Sequence, residues 1–454
     1  MSSFSFCVVN LGCKVNRVEA DGFERLLAER GGVPAAEGEA DLIVVNTCTV
    51  TGEAEKKTRK AVRHALGANA QAAVVVTGCA TEIDRATYEA MDERVTVVPK
   101  AEAALYLTER FEADSLRRAK AMPLPLRSGG STVLERKGQG PFPTDASPGF
   151  SQTDDSLDDP RVQGCEPPLL LDGRTRIGIK VQDGCDNACT YCIVHVARGR
   201  AVSRPADEVV AEAVALARAG VREIVLTGIN LGSYDDDGRD LADLCRRLLN
   251  ETADFHGPDE PPCRFRIGSV EPMDVSMEFI GLLAEAEGRL CRHLHLPLQS
   301  GSSKVLREMA RPYDAQEFRQ LVDYLRAMVP EMALTTDVIV GFPGETDEDF
   351  EDTCELARHC GFNKIHVFPY SRREGTPAAA RSDQVAPDVK VARAARLRAL
   401  SDELAAADRA ARAGATELAL VETPDRATTE SYLEVAPPEG AAIGSLVPLR
   451  LPSA

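Results

Sequence analysis

The run VQDGCDNACTYC, residues 181–192, places Cys185, Cys189 and Cys192 in a C-x3-C-x2-C spacing directly after a strand-like apolar segment. Spacing this tight gathers three sulfurs around one centre. Zinc sites usually close with four protein ligands, and no fourth cysteine or histidine lies at a usual zinc spacing, although His195 follows three residues on. A [4Fe–4S] cluster held by three thiolates would keep one iron open, which suits chemistry on a bound molecule better than a structural role.

Three further cysteines show a second regularity. Strand-like runs at residues 5–10, 42–46 and 73–77 are each followed within a few residues by a cysteine, namely Cys13, Cys48 and Cys79. In an open α/β sheet, ligands sit in the crevice beyond the carboxyl ends of the strands. Loops from three neighbouring strands would therefore bring these thiols to one place.

The chain has 13 cysteines and no run of eighteen apolar residues, and its start reads as a strand and not as a cleavable leader. A cytoplasmic location without a membrane segment is the expectation. In a reducing compartment, ligation or catalysis is then a better reading than disulfides. Cys245, Cys354 and Cys360 fall within amphipathic helical patterns and read as small buried hydrophobes. The formal net charge of -18 argues against nonspecific nucleic-acid binding but leaves room for a local basic face. Lys56, Lys57, Arg59, Lys60 and Arg63, on a predicted helix, are the candidate; the alternative is a solvated helix surface.

A chain of 454 residues needs several domains to position such groups. Residues 1–115 alternate strands and helices as a parallel sheet does. Residues 116–172, rich in Gly, Pro, Ser and Asp, read as a flexible linker that carries Cys165 with no assigned role. Alternation resumes over 173–405, with strands expected at 175–181, 223–227, 264–267, 292–295, 334–340 and 364–368, six βα units of a partial barrel. A long helix over 387–414 follows, and within 406–454 short β runs at 418–422, 432–435 and 446–451 suit a small β-barrel. The fold class is α/β: an open parallel sheet, a partial (βα)6 barrel of TIM type, and a small carboxy-terminal β module.

C-x3-C-x2-C with an aromatic, here Tyr191, just before the third cysteine resembles the hallmark of the radical S-adenosylmethionine superfamily. The resemblance implies that the open iron binds the amino and carboxylate groups of S-adenosylmethionine and that reduction yields a 5′-deoxyadenosyl radical. Further segments similar to that superfamily end later strands: TGIN at 227–230, SVEP at 269–272, LPLQSGS at 296–302 and TTDVIVGFPGE at 335–345. Active sites of barrels collect at these carboxyl ends. The implied cofactor contacts are Tyr191, Arg198, Gly228, Asn230, Ser269, Glu271, Gln299, Asp337 and Gly341. Glu271 and Asp337 also read as helix caps or solvated loop residues.

With the settings NLGCKVN, VNTCTV and VTGCA added, nearly the whole chain resembles the methylthiotransferases of that superfamily. The resemblance implies a second [4Fe–4S] cluster on Cys13, Cys48 and Cys79, an RNA-binding TRAM-like tail, and insertion of a methylthio group by way of two S-adenosylmethionine molecules. LGCKVN at 11–16, VQDGC at 181–185 and HVFPYSRREGTPA at 366–378 resemble most the branch acting at C2 of N6-threonylcarbamoyladenosine-37 in tRNA. The other branches modify isopentenyladenosine in tRNA or an aspartate of a ribosomal protein. Implied partners are a tRNA anticodon loop and a reductant such as flavodoxin or ferredoxin, with the protein itself a monomer. Arg198, Arg200, Arg372 and Arg373 could meet cofactor carboxylate, phosphate or the threonylcarbamoyl group, or be surface ion-pair partners. An electron-relay protein with two clusters and a nucleic-acid-binding module with structural zinc are the competing classes.

Overall fold

The computed structural model describes residues 4–49, 52–110, 174–257 and 260–452; the expected linker and Cys165 lie outside them. Among the described residues, 4–110 together with Val196–Arg198 make one compact unit, and 174–195 with 199–452 make a second.

The first unit is built on a parallel sheet of β1 (Phe4–Asn10), β2 (Gly32–Pro34), β3 (Leu42–Thr47), β4 (Ala73–Gly78) and β5 (Val95–Val97), in the order β2-β1-β3-β4-β5. Period-two alternation divides its β-branched residues between two cores. Leu42 and Val44 join Phe4, Phe6, Phe23 and Leu27 on one face, while Ile43 and Val45 join Val62, Val74 and Val76 on the other. Helix Lys14–Glu29 covers the first face through Ala20, Phe23 and Leu27, a stripe at helical spacing. In a sheet of this order, the chain leaves β1 and β3 in opposite directions, and the crevice at that switch point is where such folds bind ligands. Cys13 and Cys48 follow those two strands.

In the second unit, β6 (Arg176–Lys180) leads into a two-residue ribbon, β7 (Gln182–Asp183) with β8 (Val202–Ser203). The barrel continues with β9 (Glu223–Thr227), β10 (Arg264–Ile267), β11 (His293–His295), β12 (Ala333–Val340) and β13 (Lys364–Pro369). All pairings among the six barrel strands are parallel, in two runs, β6-β9-β10 and β11-β12-β13. Single bridges Phe265 to Leu290 and Ser269 to His295 join the runs, so the six strands curve in chain order. Helix entries are fixed locally: Asp314 with Glu317 and Thr346 with Asp349 form capping boxes, satisfying donors that the first turn leaves open.

The tail is a four-stranded antiparallel sheet of β14 (Thr416–Thr423), β15 (Arg426–Thr429), β16 (Glu434–Val435) and β17 (Leu446–Arg450), in the order β16-β15-β14-β17. It belongs to the same compact unit as the barrel. Two fully buried arginines of β10 account for this. Arg264 donates to the carbonyls of Leu418 (2.6 Å) and Thr428 (2.9 Å), and Arg266 to those of Thr429 (2.9 Å) and Glu430 (3.0 Å). Glu223 of β9 accepts from both guanidinium groups at 2.7 Å. Burial raises the Glu223 pKa, but Arg264 and Arg266 overcome it and hold the carboxyl at about 2.

Candidate active site

In the first unit, the loop carrying Cys13 is shaped by Asn16, which is fully buried. Its side-chain amide donates to Thr47 O (2.8 Å) and Asn46 Oδ1 (3.2 Å), while the Asn46 amide returns a bond to Asn16 O at 2.8 Å. The end of β3 and the start of helix Lys14–Glu29 are thereby fastened together. Two glycines make room for this. A Cβ on Gly12 would stand 2.1 Å from Asn16 Cγ, and one on Gly78, whose φ is 103°, would meet Asn46 Oδ1 and Thr47 O at 2.6 Å. The Asn16 and Asn46 pair thus links the Cys13 loop to the end of β3, just before Cys48, and lies against Gly78, just before Cys79.

Cys48 and Cys79 are buried and Cys13 is exposed. Cys13 Sγ donates to Asn16 Oδ1 at 3.3 Å. Burial pushes the Cys79 thiol up to about 11, with Arg198 and Lys100 pulling the other way. Arg198, expected to meet S-adenosylmethionine, has these partners: its Nε donates to Cys79 Sγ (3.1 Å), and its terminal nitrogens donate to Asn16 Oδ1 (2.9 Å) and Glu19 Oε1 (3.1 Å). A guanidinium against a thiol set suits an anionic centre.

In the second unit, the loop after β7 carries Cys185, Cys189 and Cys192. Cys185 N donates to Gly199 O and Cys192 N to Cys189 O, both at 3.1 Å. Thr190 ties the loop down through Oγ1 to Glu308 O (2.9 Å) and its N–H to Met309 O (3.0 Å). Burial pushes the Cys192 thiol up to about 11. Arg311 Nη1 donates to Cys189 Sγ at 3.2 Å, and the same guanidinium is ion-paired with Glu271. Tyr191 packs beside Val305, Phe342 and Tyr370.

Each group offers three cysteine thiols, one protein ligand fewer than a closed structural zinc site takes. Three thiols fit a [4Fe–4S] cluster that keeps one iron open.

The remaining expected contacts gather at carboxyl ends of barrel strands. Gln182 Oε1 accepts from Ile229 N (3.0 Å) and Asn230 N (2.9 Å), so the cysteine segment and the loop with Gly228 and Asn230 hold one another. Asn230 Oδ1 is buried with no hydrogen-bond partner among the described residues, as suits a group that meets a cofactor donor. Ser269 bridges to His295, and Gln299, at φ 64°, donates its N–H to Asp337 O at 2.8 Å. Gly341 N–H donates to the Glu345 carboxylate, itself held by Arg393 Nη1 at 2.9 Å. Arg200 lies at the surface with Asp186, and Arg372 is exposed. Sequence reasoning missed Asn16, Asn46, Gln182 and Arg311; the first three lie inside quoted motifs, whereas nothing near Arg311 in the sequence signals its role.

A (βα)6 partial barrel with three thiols beyond its first strand defines a class of radical enzyme. Residues 179–357 match the Radical SAM superfamily, and residues 5–99 match the Uncharacterized protein family UPF0004. The chain is 37% identical over 398 residues, 87% of itself and 80% of the relative, to a threonylcarbamoyladenosine tRNA methylthiotransferase of Bacillus subtilis strain 168. It is 32% identical, over 98% of itself and 94% of the relative, to a tRNA-2-methylthio-N(6)-dimethylallyladenosine synthase of Desulfitobacterium hafniense. A cobalamin- and [4Fe–4S]-bound radical S-adenosylmethionine methyltransferase from Kitasatospora setae shares the fold, with a TM-score of 0.54 at 17% identity over 84% of this chain and 77% of that one. The chain belongs to the radical S-adenosylmethionine methylthiotransferase family. It is a sulfur-group transferase of that family, whose cofactors are S-adenosylmethionine and two [4Fe–4S] clusters.

Proposed function

We propose that this enzyme converts N6-threonylcarbamoyladenosine at position 37 of tRNA to its 2-methylthio derivative. The observation that carries the methylthiotransferase part of the reading is a guanidinium hydrogen-bonded to one sulfur in each cysteine group, Arg198 on Cys79 and Arg311 on Cys189, and the threonylcarbamoyl branch is supported by the 37% identity to a threonylcarbamoyladenosine tRNA methylthiotransferase. Insertion of sulfur needs both a radical generator and a sulfur-bearing centre. S-Adenosylmethionine at a cluster on Cys185, Cys189 and Cys192 would supply a radical able to take hydrogen from an aromatic carbon that has neither an acidic proton nor a leaving group.

The chain's own residues position and shield that chemistry. Gly228, Asn230, Ser269, Glu271, Gln299, Asp337 and Gly341 are assigned to holding S-adenosylmethionine, with Tyr191 packed behind the loop. Arg311, anchored by Glu271, orients Cys189 and balances thiolate charge. Cys13, Cys48 and Cys79 are assigned to the second cluster, with Arg198 in the corresponding part. The base of an anticodon loop is unpaired and can be extruded toward the barrel at small cost. The exposed Lys56, Lys57, Lys60 and Arg63 on helix Gly52–Ala68 are a candidate contact for its phosphates. A cytoplasmic monomer fed by a flavodoxin- or ferredoxin-type reductant completes the reading.

The test is mass analysis of nucleosides from tRNA of a deletion strain and of the complemented strain. Loss and return of the 2-methylthio derivative of threonylcarbamoyladenosine supports the reading. An unchanged tRNA profile, with a change in isopentenyladenosine or in a ribosomal-protein aspartate, moves the chain to another branch.

A further inference from the structure

One polar cluster on the barrel's inner face does not belong to either thiol set. His295 ends β11, Thr335 is its register partner in β12, and Asp337 is the register partner of His366 in β13. Val338, Val340 and Ile365 turn outward into the helix-covered core. Alternation therefore directs Thr335, Asp337, His366 and Phe368 inward. His295 Nε2 lies 3.4 Å from Asp337 Oδ1, its Nδ1 is 3.0 Å from Thr335 Oγ1, and the ring centroids of His295 and His366 are 5.7 Å apart. His295 is buried and Asp337 half-buried, while His366 and Phe368 are exposed.

We infer that this cluster reads the substituent on N6 of the target adenine. The inference rests on the function proposed above and deepens it. His366 donates a ring N–H to a carboxylate or carbonyl oxygen, while His295, with Nδ1 on Thr335 Oγ1 and Nε2 facing Asp337, forms the polar floor beside it. Phe368, two residues beyond His366 on the same face, offers an aromatic surface on which an extruded base can stack. A threonylcarbamoyl group carries a carboxylate and a urea carbonyl, and so answers the His366 donor. A dimethylallyl group carries neither. Lodged here it would cover the exposed His366 imidazole without offering it a hydrogen-bond acceptor, and a site built to hydrogen-bond its substrate rejects an apolar analogue by roughly 10⁴-fold. A bound metal ion is not needed to explain the arrangement, because His295 Nε2 already faces the Asp337 carboxylate.

The experiment offers anticodon stem-loops carrying either threonylcarbamoyladenosine or isopentenyladenosine to the reconstituted holoenzyme and compares kcat/KM. Wild type is expected to prefer the first by about 100-fold or more. His366→Phe should lower kcat/KM for the threonylcarbamoyl substrate by about 100-fold and collapse the preference, and His366→Gln, which keeps a donor, should recover part of it. Phe368→Ala should raise KM for both RNAs with a smaller change in kcat. Both positions are exposed, so the variants should fold, which circular dichroism checks. A preference unchanged in His366→Phe overturns the inference while leaving the proposed function standing. One equivalent of zinc held by wild type and lost in His366→Phe also overturns it, in favour of a metal centre. If wild type modifies neither RNA, the proposed function itself fails, and this inference with it.

Discussion

Arg311 donates to Cys189 Sγ across 3.2 Å while its charge is answered by Glu271, which lies forty residues away in sequence at the end of another strand. Hydrogen bonds to ligating sulfur favour the reduced, more negative state of a cluster. Arg311→Gln should therefore lower the potential of the cluster on Cys185, Cys189 and Cys192 by something on the order of tens of millivolts. EPR-monitored redox titration would show it, and an unchanged midpoint would mean that the contact is structural only.

Gly12 offers a test confined to the amino-terminal thiols. Its missing Cβ is what lets Asn16 reach Asn46 and Thr47. Gly12→Ala should displace the Cys13 loop and leave about four of about eight irons per chain after reconstitution. Iron and sulfide analysis checks the count, and the surviving cluster should still cleave S-adenosylmethionine on reduction.

Burial holds the Cys79 and Cys192 thiols protonated, each with a pKa of about 11. Thiolate, not thiol, binds iron and reacts with alkylating agents. In the cluster-free protein, alkylation of these two positions should be slow at neutral pH and rise steadily as pH approaches 11, and cluster assembly should release protons. Peptide mass mapping after timed iodoacetamide treatment gives the rates. Rapid labelling of both at pH 7 would contradict the burial argument.

Glu223 gives a stability prediction of opposite sign. Its folded pKa of about 2 lies below the ordinary 4.5, so its contribution is fully present above 4.5 and is lost as pH falls toward 2. The carboxylate is fully buried between Arg264 and Arg266, and the shift corresponds to about 3 kcal/mol at neutral pH. Glu223→Gln, which strands two buried guanidinium groups, should cost about 3–5 kcal/mol and flatten the acid limb. Urea unfolding between pH 2 and pH 7 measures both effects.

Much of this architecture was legible because it is local. Apolar β-branched runs such as residues 42–46 and 223–227 name their strands, and cysteines placed just past strand ends name their loops. What escaped depends on partners far apart in the chain. β2, β5 and β15 are only three or four residues long and carry no period to read. Arg264 and Arg266 look like ordinary surface charges until β9 supplies Glu223 and the tail supplies four carbonyls. Arg198 stands just past the cysteine motif, and its hydrogen bonds go to Cys79, Asn16 and Glu19, more than a hundred residues away. The three-residue group of His295, Asp337 and His366 draws one member from each of three strands, so no single segment announces it.

The most direct test is a single reaction. Reconstituted enzyme, S-adenosylmethionine, a strong reductant and tRNA carrying threonylcarbamoyladenosine are combined anaerobically, and the nucleosides are digested and analysed by mass spectrometry. The account predicts a 2-methylthio derivative of threonylcarbamoyladenosine that disappears in both Cys185→Ala and Cys79→Ala. Formation of that product by Cys79→Ala at the wild-type rate, or its absence from wild type while S-adenosylmethionine is still cleaved, would contradict it.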